Sequence, residues 1–346
     1  MKALVYHGPG KFEWEEKAEP VLHDPGEAIV RITRTTICGT DLHILKGDVP
    51  SVTKGRTLGH EGVGVIEKVG GAVSNFCVGD RVLISCITSC GRCENCRRQM
   101  YSHCEKGGWI LGNRIDGTQA QMVRIPHADT SLYSVPAGAD EEALLMLSDI
   151  LPTAFECGVL NGAVKPGDTI AIIGAGPIGL ATLLTAKLFS PAVIIVADTD
   201  TRRLQVAREL GATHIVNSIN SNGVPDILRL TAGKGVDVAI EAVGIPETFD
   251  ACQQLVAAGG HIANIGVHGK GAMLHLDKLW DRNITLTTRL VDTAATGMLL
   301  KAVTSGALKP QPLITHRFGL SEIGKAYEVF GHAARDGALK VVMTAE

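Results

Sequence analysis

Between Thr169 and Thr288 the chain repeats one rhythm, and that rhythm leaves few folds open. The runs TIAII, AVIIVAD, HIVN, VDVAIEAV, HIANIG and ITLTT are short and mostly apolar, and several are rich in Val and Ile. Strands buried on both faces look like this, because neither face meets water. The segments between the first five runs, such as TRRLQVAREL and IPETFDACQQLVAAG, carry helical patterns. The interval before ITLTT is less regular. Strands joined by helical crossovers predict an α/β domain: a doubly wound Rossmann-type unit with a six-stranded parallel sheet.

A glycine-rich turn sits where such a domain binds nucleotides. Gly174-Ala175-Gly176-Pro177-Ile178-Gly179 is G-x-G-x-x-G, a pattern that is weak in isolation. Here it follows TIAII and precedes the apolar helix LATLLTAKLF, and Asp198 ends the next strand, 19 residues after the last glycine. The glycines permit a tight turn and let backbone approach a pyrophosphate, whose charge then faces a helix N-terminus. Asp198 can accept both ribose hydroxyls of an adenosine and would repel a 2′-phosphate, which favours NAD over NADP. Two alternatives stay open: Arg202 or Arg203 could host a phosphate, and Asp198 could cap the following helix.

Composition excludes several classes. A chain of 346 residues exceeds what one core usually serves, so two domains are expected. A net charge of −3 with no basic block argues against nucleic acid or an anionic membrane as partner. Thr169 to Ala186 is uncharged and long enough for a membrane span, but three glycines and Pro177 interrupt it at a strand-to-helix turn. The N-terminal stretch lacks an apolar signal core, and nine cysteines without one suggest reduced thiols and a cytoplasmic protein. Cys77, Cys157 and Cys252 are expected as small buried apolar residues. Glu13, Glu15 and Glu16 are expected on a solvated edge.

Residues 1 to about 148 are β-rich, with EAIVRIT, VGVIEKV and DRVLIS separated by Gly, Pro and Asp. Within this part lies CGRCENCRRQMYSHC, which places Cys90, Cys93, Cys96 and Cys104 at C-x2-C-x2-C-x7-C spacing. Four thiolates this close can reach one tetrahedral Zn²⁺. Iron–sulfur ligation and disulfides are the rival readings. Two further clusters, Ile37 to His43 and Gly59-His60-Glu61, hold metal-capable and proton-carrying residues.

The run Gly59-His60-Glu61-x2-Gly64-x5-Gly70-x2-Val73 resembles the zinc signature of zinc-dependent medium-chain alcohol dehydrogenases. The cysteine lobe, the glycine turn and the order of all three are similar to that family over essentially the whole chain. The resemblance implies a GroES-like β-barrel catalytic domain from residues 1–148 and 292–346, a Rossmann domain from residues 149–291, and an active site in the cleft. It implies two Zn per chain, one catalytic and one structural, with NAD as cofactor.

Carried over residue by residue, Cys38 and His60 look like catalytic zinc ligands. Asp149, in Leu147-Ser148-Asp149, resembles the third ligand of a bacterial branch that uses Asp where vertebrate-type relatives place Cys. Glu61 adjoins a ligand and could take the fourth position. Thr40 resembles the hydroxyl that bonds the substrate oxygen, His43 the terminal base, and Asp41 the acid that orients the histidine ligand. Cys86, Trp109, Leu290 and Val291 could line the substrate pocket. Thr153 is expected near the nicotinamide, Lys340 at the pyrophosphate, and Arg203, Val243, Ile265 and Val267 along the dinucleotide. The implied reaction is reversible hydride transfer from a zinc-bound alkoxide to NAD, turning primary or secondary alcohols into aldehydes or ketones. A polyol, diol or amino-alcohol dehydrogenase is the alternative. A non-catalytic crystallin-like or redox-sensing protein is the remote one, since such relatives commonly lack these ligands. A homo-oligomer is expected, a tetramer ahead of a dimer.

Overall fold

The computed structural model describes residues 1–220 and 223–345. The chain divides into two compact units, Met1–Asp149 with Asp292–Glu346, and Ile150–Val291.

In the second unit the apolar runs form one parallel sheet. Its order is His214–Asn217, Val193–Asp198, Thr169–Ile173, Val236–Glu241, Val256–Asn264 and Thr285–Thr288. In chain order this is 3-2-1-4-5-6, the doubly wound arrangement, and it leaves a switch point between the first and fourth strands. Helices Pro177–Ala186, Thr201–Glu209, Val224–Leu230 and Pro246–Leu255 make the crossovers. The irregular interval before the last strand holds only the short helix Leu276–Leu279. One layer of core joins Ala171, Ile195, Ala239 and Ile262 of the strands to Ile227, Phe249 and Leu255 of the helices. Burying one of these Ile, Leu or Phe side chains contributes about 1.5–3 kcal/mol.

The sequence left open whether Asp198 caps a helix. That task falls to Asp200, whose carboxylate accepts from Arg202 N at 2.8 Å. Asp198 ends its strand and is left at the mouth of the glycine turn.

The first unit holds two sheets. A seven-stranded sheet contains Ala28–Thr36, Gly62–Val69 and Arg81–Ile84 in neighbouring positions, and a three-stranded sheet is built on Lys2–Gly8. The strand Lys340–Thr344 joins the larger sheet antiparallel to Ala28–Thr36, with Val342 opposite Thr36. Helix Ile323–Gly331 precedes it. Its residues Ile323, Ala326, Tyr327 and Phe330 recur at helical spacing and pack with Leu4, Ile37, Ile44 and Met343. Glu13, Glu15 and Glu16 lie on the edge strand Lys11–Glu16, where Glu15 pairs with His7 at 3.0 Å. Cys157 and Cys252 are buried, but Cys77 is exposed. Cys77 sits in a turn closed by its own N–H, which donates to Asp80 Oδ2 at 2.8 Å, so local backbone bonding overrides its apolar character.

Candidate active site

Three separate stretches of the first unit bring Cys38, His60, Glu61 and Asp149 together, with one ligand atom of each within 4.8 Å of the others. Cys38 starts the helix Gly39–Lys46: its N–H donates to Asp41 Oδ2 at 2.9 Å, which closes a capping box. His60 and Glu61 immediately precede the strand Gly62–Val69. Asp149 is held through its neighbour Ser148. The Ser148 hydroxyl accepts from Gly62 N at 3.2 Å, and its carbonyl accepts from Cys86 N at 3.0 Å.

The distances suit a metal. Asp149 Oδ2 lies 3.5 Å from Cys38 Sγ and 3.2 Å from His60 Nε2. Ligands bound tetrahedrally at about 2.0–2.3 Å stand roughly 3.3–3.8 Å apart. Electrostatics agree. Burial raises the Cys38 thiol, and the charge of Asp149 raises it further. Burial alone would lower the His60 imidazole, but the bonds to Asp149 and Cys38 outweigh it and hold it well above the usual range. A proton on His60 is thus the only positive charge among these three donors, in the place a divalent cation would take.

The glycines of the zinc signature are there for contact. A Cβ on Gly59, at φ +93°, would lie 2.6 Å from Gln119 Cγ. One on Gly64 would lie 2.2 Å from Arg31 O. No side chain fits there without moving backbone.

Behind His60, Asp41 Oδ1 stands 4.0 Å from Nδ1 and is a buried acceptor without a hydrogen bond. Thr40 Oγ1 lies 3.7 Å from Cys38 Sγ. His43, on the same helix, is partly exposed and pairs with Asp48 at 2.9 Å. Lys340, which the resemblance sets at the pyrophosphate, lies beside Glu61. Its ammonium is 1% exposed and donates to both Glu61 oxygens, at 2.7 and 3.0 Å, and to Ile37 O at 3.1 Å. Those three bonds match the three N–H groups it has. Even beside Lys340, burial pushes the Glu61 carboxyl up to about 7.

Cys86 and Trp109 border this set. Cys86 Sγ is 3.7 Å from Asp149 Oδ1, and the Trp109 ring meets His60 edge-on with centroids 6.2 Å apart. Leu290 and Val291 belong to the second unit, the first 44% exposed and the second buried.

The four lobe cysteines also gather, all within 4.8 Å. Cys90 and Cys96 sulfurs are 4.0 Å apart, close to the roughly 3.8 Å edge of a zinc–thiolate tetrahedron. Backbone N–H groups of Glu105 and Cys96 bring the Cys93 thiol down to about 6. Burial and the neighbouring Cys93 push Cys96 up to about 12.

In the second unit the glycine turn follows strand Thr169–Ile173, and Pro177 opens the helix. Two of its glycines are required by the protein itself. A Cβ on Gly174, at φ +108°, would lie 2.7 Å from Val243 Cγ2, and one on Gly179 only 1.9 Å from Gly174 O. Gly176 differs. A Cβ there would approach nothing nearer than Arg203 Nη1, at 3.9 Å. The chain's own packing does not need that glycine; a ligand lying against the backbone would. Asp198 closes the mouth, accepting from Ala175 N at 2.6 Å and Asp200 N at 2.8 Å. Val243 and Val267 are 46% and 62% exposed, and Ile265 N bonds to Glu241 O at the same strand ends. Thr153 ends the helix Ile150–Thr153.

Residues 24–137 match the model of the alcohol dehydrogenase GroES-like domain, and residues 177–303 that of the zinc-binding dehydrogenases. An alcohol dehydrogenase of Cupriavidus necator is 36% identical, over 99% of this chain and 98% of its own. The chain belongs to the zinc-dependent medium-chain alcohol dehydrogenase family. Its first unit contains the family's GroES-like domain, and its second the Rossmann-like one. A sorbitol dehydrogenase of Bacillus subtilis is 32% identical over 95% of this chain and 93% of its own. A solved apo form of zinc dependent alcohol dehydrogenase 2 from Streptococcus pneumonia superposes with a TM-score of 0.96 at 54% identity, covering 100% of this chain and 99% of that one. This is an oxidoreductase fold with no helix, among the described residues, long and apolar enough to cross a membrane.

Sequence reasoning passed over Ser148, Gln119 and Tyr327. Each is buried and carries a polar side-chain atom, and nothing in the spacing marks it.

Proposed function

We propose that this chain catalyses reversible NAD-linked oxidation of primary or secondary alcohols to aldehydes or ketones, with two zinc ions per chain. The observation that carries the reading is the Cys38, His60 and Asp149 set, with His60 buried and the other two partly so, spaced as tetrahedral ligands and short of positive charge. When bound there, Zn²⁺ supplies a Lewis acid that favours loss of the alcohol proton, while the four lobe cysteines hold a structural ion.

The chain's own groups do the rest. Asp41 faces His60 Nδ1 and favours the tautomer whose Nε2 lone pair points to the metal. The Thr40 hydroxyl, beside Cys38, bonds the substrate oxygen and relays its proton, giving up its own toward His43 as it accepts the substrate's. His43, partly exposed and backed by Asp48, returns that proton to solvent. Cys86 and Trp109 shape the space beside His60 and exclude water from it. In the second unit, Gly174, Gly176 and Gly179 admit the pyrophosphate to the helix N-terminus that Pro177 and Ile178 open. Asp198, fixed by two backbone N–H groups, meets the adenosine ribose, and its charge opposes a 2′-phosphate. The place of Arg203 beside Gly176 suits one pyrophosphate oxygen.

The test is initial rates with NAD⁺ and NADP⁺ across primary, secondary, aromatic and polyhydric alcohols. Turnover with NAD⁺ exceeding that with NADP⁺ is expected. A fully metallated protein that oxidises no alcohol would overturn the reading. A polyol is the second reading, favoured by the sorbitol dehydrogenase likeness, and the same panel separates it. A cytoplasmic homo-oligomer, tetrameric ahead of dimeric, accords with the reduced thiols and the family.

A further inference from the structure

A hydrogen-bonded chain runs from the helix Ile323–Gly331 to the back of His60. The Tyr327 hydroxyl donates to Gln119 Oε1 at 2.7 Å. Gln119 Nε2 donates to Thr36 O and to Asp41 Oδ2, both at 3.2 Å. Asp41 Oδ2 also accepts from Cys38 N at 2.9 Å, and its other oxygen, 4.0 Å from His60 Nδ1, makes no hydrogen bond. All four side chains are nearly sealed: Gln119 0%, Asp41 1%, Tyr327 4% and His60 4% exposed.

The chemistry of each group allows one arrangement. A flipped Gln119 amide would set its oxygen against a carbonyl and a carboxylate, both acceptors, so Nε2 must face them. Oε1 then faces Tyr327, which must donate. Burial and the Asp41 charge hold that phenol well above its ordinary range, so it keeps its proton. With Oδ2 saturated by two N–H donors, Asp41 has only Oδ1 left to offer, and Oδ1 faces His60.

We infer that Gln119 and Tyr327 are positioning residues for the metal site: they lock the Asp41 carboxylate so that His60 carries its proton on Nδ1 and presents Nε2 to the metal. The inference rests on the reading of Cys38, His60 and Asp149 as metal ligands. It adds two residues that touch neither metal nor substrate and are 208 positions apart. Tyr327→Phe removes the lock with little change of shape. Gln119→Leu removes the donor to Asp41, and Gln119→Glu sets a second carboxyl against it.

The experiment loads the full chain with Co²⁺ at the catalytic site and measures affinity by chelator competition, following the visible absorption of the ion. The ring nitrogen that keeps its proton is read from the ¹⁵N shifts of His60 in the zinc-loaded protein, because the metal-free imidazole is held in its doubly protonated form. Losses of the outer partners of a ligand histidine typically cost about 10–100-fold in metal affinity. We expect a loss in that range for Gln119→Leu, a larger one for Gln119→Glu and a smaller one for Tyr327→Phe. Unchanged affinity and unchanged His60 shifts in a folded Tyr327→Phe would overturn the inference, even if both Gln119 variants failed to fold. A wild type that takes metal only in the four-cysteine lobe would overturn the metal-site reading and this inference together. A wild type that fills both sites, with variants matching it, overturns this one alone.

Discussion

Asp149 is the residue on which the catalytic metal reading turns. Its carboxylate is the shared contact of Cys38 and His60, and it is the donor whose charge offsets the cation without a second thiolate. Asp149→Asn keeps the shape and removes the charge. We expect zinc in the four-cysteine lobe to remain, catalytic zinc to fall, and kcat to drop at least tenfold; elemental analysis and initial rates measure both. If Asp149 served only the helix that follows it, the loss would be about 1 kcal/mol of stability with metal and turnover intact. The glycine turn allows a similar separation. Gly179→Ala drives a Cβ into Gly174 O and should cost at least about 1–3 kcal/mol. Gly176→Ala meets open space at φ −69°, a conformation any residue adopts, and should change stability by no more than about 1 kcal/mol. Yet Gly176→Ala should weaken dinucleotide binding more than tenfold. Melting temperature and a fluorescence titration with NADH distinguish the two, and tight binding by Gly176→Ala would remove the turn from the cofactor site.

At the scale of elements, the cysteine lobe is a loop that cannot hold itself. Its only regular structure is the short helix Glu94–Arg97 and the turn Tyr101–His103, and Ser102 ties it down through two bonds to Asp292. Cys93→Ser should therefore lower the melting temperature by several degrees and remove one zinc per chain, while the active-site metal stays. A Cys93→Ser protein with two zinc ions and a wild-type melting curve would dismiss a structural ion there. This lobe and the parallel strands were legible because each is a local pattern: four thiols in fifteen residues, or an apolar run with a helix after it. The shared neighbourhood of Cys38, His60 and Asp149 came through the family resemblance, since no spacing ties position 38 to position 149. What stayed hidden were the pairings of buried polar residues far apart in sequence. Lys340 beside Glu61 and Tyr327 beside Gln119 look, along the chain, like a strand-end lysine and one more aromatic on an apolar helix face. Cys77 misled for the converse reason, because a thiol in a Gly- and Asp-rich turn obeys the turn.

For the whole molecule, every proposed zinc ligand lies in the first unit and the glycine turn in the second. We expect about two zinc ions per full chain. Expressed alone, residues 150–291 should bind dinucleotide and carry no zinc, because their core is self-contained. Zinc stoichiometry on both proteins checks this, and a fragment that retains metal would contradict the partition. The order of the strands has a further consequence, for how the protein is made. The ribosome delivers Cys38 and His60 early, then the entire second unit, and only afterwards Tyr327 and the strand bearing Lys340. The second unit can complete itself during synthesis, while the carboxylate of Glu61 waits for a counter-ion some 279 residues downstream. The nascent first unit holds every proposed catalytic ligand once Asp149 is made, but its sheet edge stays unclosed until the strand bearing Lys340 arrives. The final closure of the site, with Lys340 on Glu61 and Tyr327 on Gln119, therefore belongs after chain completion, and chaperone dependence should concentrate in that interval.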